Sequence, residues 1–211
     1  MPEQIDTGPE RPCVILTELR SGMQACLRPL HPSDQDEIER GIMELSDRSR
    51  YLRFFSSFKT VPPSVVEKLS AVDGENHIAW GVVDMDEDHH PGIAAAHAIR
   101  NPDDPTSGEF AIAVLDDYHG KGVSRVLIAA LFSDCVAKGL RTMDIAIMRE
   151  NRKAVRLVAA LGAKITHSEG PVAYYRLDLT SALNALRAME KPIGLSEVFA
   201  AFDSPATLGH P

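Results

Sequence analysis

The sequence predicts an α/β fold in which one mixed β-sheet carries helices on both faces. Three observations predict it. The hydrophobic period switches between 2 and 3.6 along the chain, in the order strand, helices, three strands, helix, strand, helix, two strands. The segment from Ser124 to Ala137 is apolar on nearly every side, which suits a helix buried against a sheet. An apolar share of 44% in 211 residues is enough for the core of one domain.

Each element has a local reason. Residues 1–22 read as an N-terminal arm, loose over its first twelve residues, with a short strand from Cys13 to Leu19. Residues 23–179 form the domain proper, and Gln24 to Leu30 alternates as the first strand of its main sheet. Ser33 and Asp36 make a capping box for a helix with Ile38, Ile42 and Leu45 inside. Ser46 to Phe55 reads as a second helix that groups Tyr51, Leu52 and Phe55 and turns Arg48, Arg50 and Arg53 partly outward. Those arginines are either a solvated face or a rim for phosphates or an acidic partner. Pro62-Pro63 breaks that helix, and Ser64 caps a short third one.

From His77 the period becomes two. His77 to Met85, Gly92 to Arg100 and Glu109 to Val114 read as three consecutive strands. The first turn between them holds His89 and His90 beside three acids, a pattern better read as a solvated tip than as a metal site, so no metal is expected. Gly139 ends the apolar helix, and Met143 to Met148 forms a strand. Asn151 caps a helix from Arg152 to Leu161, and Lys164 to Ser168 and Ala173 to Leu179 complete the strands. Residues 180–211 read as a C-terminal extension of one or two short helices and a frayed end.

Bulk properties exclude several functions. A formal charge of −8 argues against general nucleic-acid binding and is compatible with a cationic substrate. No apolar run approaches the roughly 20 residues of a membrane span, and the Met-Pro-Glu-Gln start lacks a basic-then-apolar signal. Cys13, Cys26 and Cys135 are odd in number with no CxxC pair, so a reduced cytoplasmic protein is the simplest expectation.

The most informative stretch runs from Glu109 to Leu127, an alternating strand, a turn with Gly120 and Gly122, and the start of the apolar helix. Unpaired amides at a helix start, with the helix dipole behind them, make an anion site. Glycine lets such a backbone turn sharply and approach a phosphate closely. The spacing fits neither a nucleoside-triphosphatase loop nor a dinucleotide fingerprint, whose third glycine would stand at Arg125. On this reading alone, a phosphate loop and a plain tight turn both remain.

With the helix motif Asn151-Arg152-Lys153-Ala154…Leu157…Leu161-Gly162-Ala163 added to His119-Gly120-Lys121-Gly122-Val123-Ser124, the chain resembles the GCN5-related N-acetyltransferase (GNAT) superfamily over roughly residues 24–179. The resemblance implies a mostly antiparallel twisted sheet with a splayed strand pair, and acetyl-coenzyme A as cosubstrate. It implies that the backbone of Ile112 and Val114 holds the pantetheine arm. The loop from His119 through Gly120, Lys121, Gly122, Val123 and Ser124 would hold the pyrophosphate, and Asn151 would touch the pantetheine region. His119 stands for the family's Gln or Arg, and Ser124 for its second glycine. Val158 stands where a tyrosine general acid is frequent; Tyr174 is the alternative, with core packing as its plainer role.

A narrower likeness joins Ser49-Arg50-Tyr51-Leu52-Arg53-Phe54-Phe55, Gly108-Glu109-Phe110-Ala111 and Asp116-Asp117-Tyr118. These are similar to bacterial protein lysine acetyltransferases of the Pat type, which act on proteins such as acyl-coenzyme A synthetases. The likeness implies Glu109 as general base, partly desolvated beside the sheet, with an oxyanion partner among the backbone N–H groups near Val114. It implies direct transfer of acetyl to a protein lysine. A small-molecule amine is the alternative acceptor, and a non-catalytic acyl-coenzyme A-binding module is the alternative from another class. A dimer contact or a cover for the groove are both open roles for residues 180–211.

Overall fold

The computed structural model describes residues 14–189 and 194–204. Among these residues, eight strands form one sheet in the order β1-β2-β3-β4-β5-β6-β8-β7. They are β1 (Ile15–Glu18), β2 (Gln24–Pro29), β3 (His77–Asp84), β4 (Gly92–Arg100), β5 (Ser107–Val114), β6 (Thr142–Met148), β7 (Lys164–Glu169) and β8 (Val172–Asp178). Every neighbouring pair is antiparallel except β5 and β6. The sheet begins one strand earlier than expected, because β1 pairs with β2 along its whole length.

Among the described residues, seven α-helices pack around the sheet: α1 (Gln35–Glu44), α2 (Asp47–Phe54), α3 (Pro63–Ser70), α4 (Val123–Ala137), α5 (Arg152–Ala160), α6 (Leu179–Arg187) and α7 (Leu195–Asp203). α4 lies at the centre, with Val126 through Phe132 all fully buried, which explains its unbroken apolar run. Phe110 meets Phe132 edge-on at 5.0 Å, and the buried indole of Trp80 donates to Asp134 at 2.9 Å. Leu186 of α6 and Val198 of α7 belong to this same cluster, as do Ile15 and Leu19 beside β1. A smaller cluster of Ile38, Ile42, Val61, Val66 and Leu69 holds α1 and α3 together.

Several local expectations change. The first capping box is built by His31 and Asp34 over a 3-10 turn, not by Ser33 and Asp36, because the helix is entered one turn early through Pro32. Pro62 rather than Ser64 caps α3, with Pro63 at its first position, where a missing N–H costs nothing. Arg50 is 7% exposed rather than outward: its guanidinium reaches the Leu45 carbonyl and the Asp47 carboxylate. Cys135 is a free buried thiol. The expected loose arm over residues 1–12 and the frayed C-terminal end lie outside the described residues.

Candidate active site

The site begins where the sheet opens. β5 pairs with β4 as far as Val114, but with β6 only through Ser107, Gly108 and Glu109. Beyond that rung β6 continues to Met148 against β8, so residues 110–114 face β6 across a gap with no ladder between them. This is the splayed pair the resemblance implied. Gly108 sits at the parting because a Cβ there would stand 2.9 Å from the Ile99 carbonyl oxygen. Glu109 occupies the last shared rung, opposite Ile99 and Asp144. Its side chain is exposed, not partly desolvated as expected, because the gap opens to solvent directly beside it.

Beneath the gap, β5 runs into a 3-10 turn, Asp116–Tyr118, and then into α4. Gly120 and Gly122 both hold positive φ, +80° and +100°, a region where a Cβ is strained. Gly122 is the N-cap of α4 and makes no side-chain cap bond. Among the described residues, the amides of Gly120, Gly122, Val123 and Ser124 therefore have no protein acceptor, as expected for a helix start left open to an anion. Their carbonyl side is tied down instead. Arg20 donates from its backbone to the Lys121 carbonyl and from its guanidinium to the Gly120 carbonyl, both at 3.3 Å.

The side chains of the loop turn toward the protein. His119 Nε2–H donates to the Val114 carbonyl at 3.0 Å, so this residue anchors the loop to the strand end. The Lys121 ammonium lies 4.5 Å from the Tyr118 ring. Asp116 accepts from the Ser46 amide and hydroxyl at 3.0 Å each and from the Ser49 hydroxyl at 2.8 Å, fastening the start of α2 to the loop. Burial pushes the Asp116 carboxyl up, but these bonds outweigh it and hold it below the ordinary value. On the other wall Asn151 caps α5, its Oδ1 accepting from the Ala154 amide at 3.1 Å. Glu150 beside it pairs with Arg48 of α2 at 3.0 Å.

These parts line one cleft of about 1230 Å³. It brings together Glu109, Ile112, Val114, His119, Gly120, Gly122, Val123, Ser124 and Asn151. Of the expected site residues only Lys121 is absent from its lining. Val158 is a core residue at 3% exposure. Tyr174 lines the cleft and stacks on His167 with 4.2 Å between rings. Burial pushes the Cys135 thiol far up, which removes it as a nucleophile. Among the described residues, no three His, Cys, Asp or Glu side chains are grouped to hold a metal.

Sequence reasoning missed the Arg20 clasp, the Asp116 clasp and a buried histidine pair. The last consists of His77 Nε2 and His97 Nδ1, 2.9 Å apart, with His77 Nδ1 at 3.1 Å from the Ala71 carbonyl. Both stand on the face of β3 and β4 opposite the core residues Ile78, Trp80, Ala96 and Ala98, so alternation alone gave no signal for the pair.

The sequence description that fits this architecture, "Acetyltransferase (GNAT) family", matches residues 42–163, more than half of the chain. The chain belongs to that family. This GNAT chain is 30% identical over 149 residues to "Acetyltransferase Pat" of Mycolicibacterium smegmatis, a match covering 71% of the chain and 44% of that relative. The match thus spans less than half of the length of that relative. Among solved structures, the GNAT domain of S. lividans PAT superposes with a TM-score of 0.70 at 21% identity, covering 80% of this chain and 99% of that one. A spermidine N-acetyltransferase from Vibrio cholerae, solved with coenzyme A and spermine, superposes with a TM-score of 0.58 at 20% identity, covering 76% and 98%. At those identities the likeness speaks for the fold. Among the described residues no helix is long and apolar enough to cross a membrane.

Proposed function

We propose that this protein is an acetyl-coenzyme A-dependent N-acetyltransferase that acts by direct transfer on a protein lysine, with Glu109 as general base. The observation that carries the reading is the place of Glu109. It stands on the last rung before β5 and β6 part, exposed, at the mouth of a cleft that ends in four unpartnered amides.

The residues present fit the cosubstrate. The amides of Gly120, Gly122, Val123 and Ser124 would take the pyrophosphate, where the helix dipole adds favourable charge. The backbone of Ile112 and Val114, which has no ladder on its β6 side, would take the pantetheine arm, and Asn151 lies on the opposite wall. Bound acetyl-coenzyme A supplies a thioester carbonyl for the amine to attack. Glu109 does the chain's own chemical work. A lysine arrives as ammonium, with a reference pKa of about 10.4, and has no lone pair until a base removes a proton. An exposed carboxylate at the cleft mouth can take that proton directly or through one water and pass it to solvent. The open mouth supports an amine borne on a large partner, since the amine does not have to leave that partner to reach Glu109.

The test is release of free coenzyme A thiol with lysine-bearing proteins and with small amines, for wild type and Glu109→Gln. The expected outcome is coenzyme A binding kept in the variant and turnover reduced about 10²- to 10⁴-fold, the usual worth of a positioned base. Full activity in Glu109→Gln would remove the base assignment. Preference for small amines would move the acceptor to that class. Binding without turnover in wild type would leave a non-catalytic module.

A further inference from the structure

Among the described residues, six cations line the cleft without an ion pair, Arg20, Arg53, Lys68, Arg125, Arg152 and Lys153, and of these Arg53 stands beside the buried His97. Arg48 is paired with Glu150, Arg176 with Asp144, Arg50 with Asp47 and Arg28 with Asp34. Arg53 belongs to α2, and among the described residues no carboxylate lies within ion-pair distance of it. It is half-buried, and desolvation draws its pKa down to about 10. The guanidinium lies 4.9 Å from the Phe54 ring, which offsets part of the cost of desolvating it, and an anion would recover more. Lys68, which also lines the cleft, is exposed, so its hydrated ammonium carries no such penalty.

The neighbouring histidines keep the site from supplying its own anion or its own extra cation. The Ala71 carbonyl can only accept, so His77 carries its proton on Nδ1 and accepts at Nε2 from His97 Nδ1–H. His97 is buried, and burial, with the charge of Arg53 as the next cause, holds it well below the usual histidine range and therefore neutral. Its Nε2 has no hydrogen-bond partner among the described residues and presents a lone pair. That lone pair takes a water or the N–H next to an anion, not the anion itself.

The register fixes the scale. His97 stands opposite Ala111, two residues along β5 from Glu109 and on the same face of the sheet. Two strand residues span about 7 Å. Arg53 acts on His97, whose row lies that far from Glu109, so we infer that an amine at Glu109 and an anion at Arg53 belong to one acceptor, joined by a chain about the length of a lysine side chain.

We propose that Arg53 binds a carboxylate of the acceptor, so that this enzyme selects amines carrying a carboxylate within reach of the reacting nitrogen. The inference rests on the N-acetyltransferase reading above. The carboxylate comes either from the acceptor's own α-carboxylate or from an acidic side chain beside a target lysine.

The experiment compares matched acceptors. Nα-acetyl-lysine and Nα-acetyl-lysinamide differ only in carboxylate against carboxamide. A lysine peptide flanked by glutamates and its glutamine-flanked twin differ in the same way. Thiol release is measured for wild type, Arg53→Gln and Arg53→Lys, with the KM for acetyl-coenzyme A showing that the coenzyme end is intact. Wild type is expected to favour at least one carboxylate-bearing member by about tenfold or more in kcat/KM, as for a charge-assisted bond. Arg53→Gln should bring that ratio near one, and Arg53→Lys should keep part of it. Dependence in the first pair alone assigns the α-carboxylate, and in the second pair alone the acidic side chain. Equal use of both members by wild type, or an equal loss on both in Arg53→Gln, overturns the proposal while leaving acetyl transfer standing. If no amine is turned over, the function above fails. Calorimetry of the same pairs on coenzyme A-saturated protein then decides for Arg53. Carboxylate-dependent binding that is lost in Arg53→Gln upholds it, and equal binding or none overturns it.

Discussion

At the scale of single residues, the site is made by positions whose neighbours leave them little choice. Gly122 shows this most directly. At φ +100° it caps α4 and aims the next amides outward, and a side chain there costs about 1–2 kcal/mol in backbone strain. Gly122→Ala is therefore expected to raise the KM for acetyl-coenzyme A by about tenfold, with a smaller effect on the KM for the amine, measured by thiol release. Some of these residues were legible in the sequence and some were not. Asn151 and the two glycines were, because capping and positive φ are decided within one turn of chain. Glu109 was legible as a position, but its exposure was not, since that depends on how far β6 parts from β5. Arg53 is the harder case. Helical spacing separates the faces of α2, but it does not say which of three arginines finds a carboxylate. Only the fold brings Glu150 to Arg48 and leaves Arg53 beside His97.

At the scale of elements, α2 and the loop before α4 behave as one unit because Asp116 takes three hydrogen bonds from Ser46 and Ser49. The carboxyl is held below its ordinary value, so the clasp binds the deprotonated form. Its contribution to stability is fully present above the unfolded value of about 3.9 and is lost as pH falls through the lower folded value. Asp116→Asn should thus be less stable than wild type at neutral pH, and the difference should shrink below about pH 4. Denaturant unfolding of both proteins between pH 2.5 and 7 reads this directly. The elements themselves were mostly legible, since period two and period 3.6 separate cleanly along this chain. Boundaries moved where proline chemistry or a turn intervened, as at Pro32 and Pro62. The Asp116 clasp was invisible because its partners are 67 and 70 residues away in sequence.

At the scale of the whole molecule, the C-terminal helices share one core with the sheet. Leu186 and Val198 are fully buried against α4, and Phe202 meets Trp80 at 5.7 Å. Leu186→Ala is expected to cost about 2–5 kcal/mol and to lower the midpoint of one shared unfolding transition, followed by circular dichroism and by tryptophan fluorescence together. A separate early transition of the C-terminal helices would contradict that shared core. The parting of β5 from β6 has a further consequence. An unpaired strand edge on the outside of a protein invites a strand from another chain and is a route to aggregation. Here the unpaired edge lies inside the sheet, with β4 and β8 closing the two halves behind it. A gap flanked on both sides by its own strands gives a second polypeptide strand no line of approach, while a slender molecule can still enter from the open end. The fold thereby keeps a row of free backbone groups in permanent readiness without making them sticky.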